Sequence, residues 1–120
     1  MTSDEFRALV LSFPDVEEGF NMASVVFKAN GKVVARLLSQ TEAMLAGMTY
    51  DERELLLESR PEVFRITPHY KDYRGVIARL APLDSDTCRL LLERRWREAA
   101  PKSLVKAFDA AKERDRGSPA

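Results

Sequence analysis

The chain has 120 residues, 45% hydrophobic and 32% charged, with 19 basic and 19 acidic side chains and a net charge of zero. That length gives one domain able to bury about two thirds of its unfolded surface. The balanced charge excludes the overall basicity of a strong nucleic-acid binder, leaving only a local patch as a means of meeting an anionic partner.

The sign of the charge changes along the chain. Residues 1–60 carry 6 basic and 10 acidic side chains, and residues 61–120 carry 13 and 9, a difference of −4 against +4. Either a basic face or ordinary solvated helix surface would give this asymmetry. Apolar runs are short and interrupted by charge, so no membrane span is expected. The N-terminus lacks the basic and apolar regions of a signal peptide. The single cysteine, Cys88, excludes an internal disulfide and fits a cytoplasmic location.

In chain order, Phe6, Leu9, Val10 and Phe13 have the spacing of an amphipathic helix. Thr2 and Glu5 supply a capping box at its start, and Pro14 supplies its stop. The acidic group Asp15, Glu17 and Glu18 reads as a solvated turn, with weak binding of a hard cation as the alternative. Residues 24–29 and 32–38 are β-rich runs joined by Asn30-Gly31, a pair suited to the positive φ angles of a type I′ hairpin turn. With a two-residue turn, 29 faces 32, 27 faces 34 and 25 faces 36. Val26, Val33, Ala35 and Leu37 then share the apolar face, and Val25, Phe27, Lys32, Val34 and Arg36 the other. A weaker strand is expected over 43–48. Thr49 and Glu52 form a second capping-box pattern, opening a short helix that Pro61 stops.

Two more strands are expected over 63–66 and 73–80. In the second, Val76, Ala78 and Leu80 alternate with Tyr73, Ile77 and Arg79. Pro68 keeps their connection out of a paired strand. A helix from 84 to about 98 places Cys88, Leu91, Leu92, Trp96 and Ala99 on one side, with Arg95 inside that arc, either snorkelling or serving a site. Pro101 opens a last helix through Leu104, Phe108 and Ala111, and residues 113–120 read as a flexible polar tail. The expected fold class is α+β: a single domain over residues 1–112 with an antiparallel sheet of about five strands, packed on one face by helices. The other face is aromatic and basic, either open or covered by a loop or a dimer partner.

The stretch PEVFRITPHYKDYRGVIARL at 61–80 concentrates the chemistry, with the one histidine, two of three tyrosines and four Lys or Arg residues. Aromatic rings interleaved with Arg and Lys suit nucleic acid. His69 is the one side chain with an ordinary titration near neutral pH, but no sequence motif supplies a nucleophile or carboxylate partner, so structural hydrogen bonding and ligand contact stand ahead of catalysis. One histidine and one cysteine do not make a dedicated metal site, the scattered glycines make no phosphate loop, and no cofactor is expected.

The segment VFKANGKVVARL at 26–37 resembles the F-x-x-x-G-K-x-x-A-x-L hairpin of MmcQ/YjbR-like proteins. The 61–80 segment is similar to that family's strand pair with its His-Tyr step, and RWREAAPK at 95–102 to the break before its last helix. The likeness spans roughly residues 3 to 110. It departs from the pattern at Asn21-Met22-Ala23-Ser24, where an aromatic-Gly-Pro segment is common, and at Arg95, where a small residue is usual. The resemblance implies a frataxin-like (CyaY-like) α+β fold with a double-wing DNA-binding role. Lys32, Arg36, Lys71, Arg74 and Arg79 would contact phosphates, with His69, Tyr70 and Tyr73 beside them. Binding would be weak and largely sequence-independent. The alternatives are a non-enzymatic protein- or small-ligand-binding module using the same face, and a frataxin-like metal binder through the acidic N-terminal region. A homodimer is compatible with each.

Overall fold

In the computed structural model, which describes residues 1–21 and 24–117, the Thr2 hydroxyl accepts from the Glu5 amide and the Glu5 carboxylate accepts from Thr2 N–H. This reciprocal cap starts α1 (Ser3–Leu11), which buries Phe6 and Val10. Met22 and Ala23, within the departure from the family pattern, lie outside the described residues, as do residues 118–120. The described residues form six strands and four α-helices.

The chain enters the sheet earlier than the sequence suggests. Asp15 sits at φ 66° in a turn, but Glu17 and Glu18 lie in a strand, β1 (Val16–Asn21), not in the solvated turn expected. All five positions after Val16 are exposed, so no apolar alternation marks it. Then follow β2 (Ser24–Ala29), β3 (Lys32–Leu37) and β4 (Glu42–Ala46). After α2 (Tyr50–Ser59) come the short β5 (Phe64–Arg65), a 3₁₀ turn at Pro68–Tyr70 and β6 (Gly75–Arg79). The strands pair antiparallel in the order β1-β2-β3-β4-β6-β5. With β1 the sheet has six strands instead of about five.

Asn30 at φ 53° and Gly31 at φ 76° make the expected turn. The register then departs from the one expected. Lys28 faces Val33, but Phe27 faces Ala35 and Val25 faces Leu37, so a bulge absorbs Val34. The extra residue exchanges the expected faces of β2: Phe27 joins Val34 and Ala35 in the core, while Val26 and Arg36 share the opposite face. Burial explains the outcome, because an unbulged hairpin would bring Phe27, now fully buried, to the side that carries Arg36.

One face of the sheet is closed by α1 and by α3 (Ser85–Ala99), which starts at Asp84 and buries Cys88, Leu92 and Trp96. Trp96 donates its indole N–H to the Pro14 carbonyl at 2.7 Å and meets Phe13 and Phe108, tying α4 (Lys102–Gly117) to this layer. Residues 113–117 continue α4 into the segment expected as a tail, since Glu113, Arg114 and Asp115 contain no helix breaker. On the opposite face Val26, Arg36, Met44, Ile77 and Arg65 form one row across β2, β3, β4, β6 and β5. Met44 and Ile77 are nonetheless buried, because the chain between β5 and β6 crosses above this side.

Candidate nucleic-acid interface

That crossing is built from α2. Thr49 caps the helix by accepting from the Glu52 amide, but the capping box stays half formed because the Glu52 carboxylate pairs with Arg94 of α3 instead. The first turn carries Tyr50 and Arg53 toward residues 67–74. The buried Arg53 guanidinium donates to the carbonyls of Tyr70, Lys71 and Tyr73 at 3.3, 2.9 and 2.9 Å. The Tyr50 hydroxyl donates to the Asp72 carbonyl at 2.7 Å. The Tyr70 and Tyr73 carbonyls also accept the Tyr73 and Gly75 amides, and one guanidinium nitrogen of Arg53 gathers all three carbonyls at one point. Arg53 was missed in the sequence. Its signal is its spacing: it stands three and four residues before Leu56 and Leu57, on the inward side of α2.

Held this way, the loop and the sheet enclose a cleft of about 390 Å³ lined by Asn21, Ser24, Arg36, Leu38, His69, Tyr70 and Tyr73. Four of the expected contact residues therefore meet in one place. The rings stand edge to face: His69 and Tyr70 with centroids 4.8 Å apart, Tyr70 and Tyr73 5.8 Å apart. Arg36 donates to the Ser24 hydroxyl at 3.2 Å and has no ion-pair partner among the described residues. No carboxylate lines this cleft among the described residues. His69 is exposed at the rim.

Tyr73 is also a wall of a second cleft, about 520 Å³, with Gly47, Thr49, Glu52, Asp72, Arg74, Arg95 and Glu98. Arg74 lies over the Tyr50 ring, 5.8 Å from its centroid. The stem of Arg95 crosses Gly47, where a Cβ would fall 2.1 Å from Arg95 Cδ, and its guanidinium donates to the Val33 carbonyl at 2.8 Å. Snorkelling past a glycine thus accounts for a basic residue in the apolar arc of α3. Both signs of charge are present here.

The remaining expected residues are distributed around these clefts. Lys71 is exposed on the loop. Lys32 is exposed at the hairpin tip, the sheet end at which Arg74 precedes β6. Arg79 lies at the other end of β6, donating to the Pro61 carbonyl at 3.1 Å and facing Glu42. Beside it Arg65 binds Glu42 through two hydrogen bonds, which hold the Glu42 carboxyl below the usual carboxylate range. Of the five expected phosphate contacts, Arg36, Lys71 and Arg74 flank the loop, while Lys32 and Arg79 stand apart.

Elsewhere, Cys88 is enclosed in the core, where burial pushes its thiol up to about 12. In the acidic segment Glu18 is paired with Arg7. Among the described residues there is no group of three or more His, Cys, Asp or Glu side chains placed to hold a metal ion, and no helix long and apolar enough to cross a membrane.

No family model matches the chain. It is similar to an uncharacterized protein of Mycobacterium tuberculosis and to one of Mycobacterium bovis, each 38% identical over 53 residues, 44% of this chain. The chain covers 41% of the length of these curated relatives. Among solved structures it is similar to the crystal structure of Deinococcus radiodurans protein DR2400, a DUF419 domain, with a TM-score of 0.67 and 18% identity over 79% of this chain and 75% of that one. At that identity the likeness shows a shared small α+β fold.

Proposed function

We propose that this chain is a small cytoplasmic DNA-binding module of the MmcQ/YjbR kind, acting by binding and without turnover. The observation that carries this reading is the carboxylate-free cleft where the 67–74 loop brings His69, Tyr70 and Tyr73 over Arg36. Aromatic faces beside cations without ion-pair partners offer stacking and phosphate neutralisation together, the combination nucleic acid uses and a protein core does not need. Lys71 and Arg74 extend the cationic lip, and neither has a carboxylate partner among the described residues.

Three loop-flanking cations on a neutral protein give weak, largely sequence-independent binding, with Kd about 10⁻⁴ to 10⁻⁶ M at physiological salt. Titrating duplex and single-stranded DNA at several salt concentrations tests this. Neutralising three phosphates gives a slope of log K against log salt of roughly −2 to −3. No salt-dependent binding to any DNA at low ionic strength would remove the reading. A protein- or small-ligand-binding module would then replace it, supported by the second cleft, where Arg74 and Arg95 meet Glu52, Asp72 and Glu98.

A further inference from the structure

The cleft between the loop and the sheet has walls as well as charge. Tyr70 and Tyr73 stand edge to face on the loop and form sides of a recess over the sheet. The floor supplies Arg36 from β3 and the Ser24 hydroxyl from β2, and the Asn21 amide closes one end. A volume of about 390 Å³ lies at the small end of ligand sites, room for one base with its sugar and phosphate. Arg53 fixes the carbonyls of Tyr70 and Tyr73 in advance, so the recess exists before any ligand orders it.

A base inside a duplex cannot use such a recess. Its faces are covered by stacked neighbours and its pairing edge is occupied, and extruding it costs a few kcal/mol. An unpaired base offers a free face to the tyrosines and a free edge to the Asn21 amide and Ser24 hydroxyl. Its phosphate meets Arg36, which one neutral hydroxyl leaves with N–H groups to donate. Tyr73 separates this recess from the cleft of Arg74, so a strand crossing Tyr73 passes from one cation to the next.

Building on the nucleic-acid reading above, we infer that the recess holds one unpaired nucleotide of a single strand, and that the chain prefers single-stranded to duplex nucleic acid. The test measures fluorescence anisotropy of a labelled eight-residue oligothymidylate and a labelled DNA hairpin duplex at one low salt concentration, with unlabelled thymidine monophosphate as competitor. The wild type is expected to bind the oligothymidylate at least about tenfold tighter than the hairpin. Tyr73→Leu and Arg36→Gln, each checked for an unchanged circular dichroism spectrum, should each weaken the oligothymidylate roughly tenfold and the hairpin much less. Thymidine monophosphate should compete only at far higher concentration. Equal or tighter binding of the hairpin overturns this inference while leaving nucleic-acid binding intact. A single-strand preference that survives both substitutions overturns the placement in this recess, and thymidine monophosphate binding as tightly as the oligomer overturns the strand as its source. Binding of none of the probes overturns this inference and the nucleic-acid reading together.

Discussion

Arg53 is the residue on which the site's shape depends. It is 7% exposed, and its guanidinium holds three carbonyls of a loop otherwise tied by its own short-range turn bonds, by the Tyr50 hydroxyl at Asp72 and by the Arg74 carbonyl to Gly47 and Met48. Arg53→Met keeps the volume and removes the donors, and should destabilise the protein by about 1.5–3 kcal/mol in chemical denaturation, the range for bonds to a charged group. Amides of residues 70–75 should lose hydrogen-exchange protection more than those of β2 and β3; equal loss throughout would mean that Arg53 packs without clamping. At the far end of the same face, Glu42 and Arg65 form a half-exposed pair. The Glu42 carboxyl is held below its ordinary value of 4.5, so its contribution is present above that pH and disappears as the pH falls through the lowered folded-state value. Glu42→Gln should cost up to about 1 kcal/mol at pH 7 and progressively less as the pH falls below 4.5, read as a difference in melting temperature that closes on acidification.

At the scale of elements, the β2–β3 hairpin shows what sequence carries and what it leaves out. Asn30-Gly31 announces its turn because few residue pairs accept two positive φ angles. A Cβ on Gly31 would meet nothing within 4 Å, so Gly31→Val tests backbone strain alone and should lower stability by about 1–2 kcal/mol in a denaturant melt. An unchanged midpoint would mean that the turn relaxes freely. The bulge at Val34 was not legible, since apolar side chains at 33, 34 and 35 fit either register and the choice is made by the helices that cover Phe27. β1 was not legible for a related reason: an exposed edge strand owes its conformation to pairing with β2 and leaves no burial pattern. The alternation in β6 could be read correctly, with Val76 and Ala78 under the helices and Ile77 and Arg79 on the opposite face. The path of 67–74 needed Arg53, twenty residues from the Tyr73 carbonyl it binds, and no local pattern connects them.

For the whole molecule, the excess of positive charge in residues 61–120 does not appear as one basic face. Arg89, Arg95 and Arg97 pair with Asp86, Glu98 and Glu93 inside α3, while Arg94–Glu52, Arg97–Asp109 and Lys112–Glu93 tie α3 to α2 and α4, so much of that charge is neutralised locally. Lys102 and Lys106 of α4 are exposed and outside the ion pairs, but among the described residues they have no aromatic cleft beside them; the cations next to the 67–74 loop do, and a neutral protein can carry such a patch. The most direct measurement of this account is a heteronuclear NMR titration of the labelled protein with a short single-stranded oligonucleotide at low salt. The expected result is a contiguous set of shifted amides at Ser24, Arg36 and residues 69–74, fading as salt is raised. Shifts centred on α4 or the β1 edge with the loop unmoved, or no shifts at all, would contradict it.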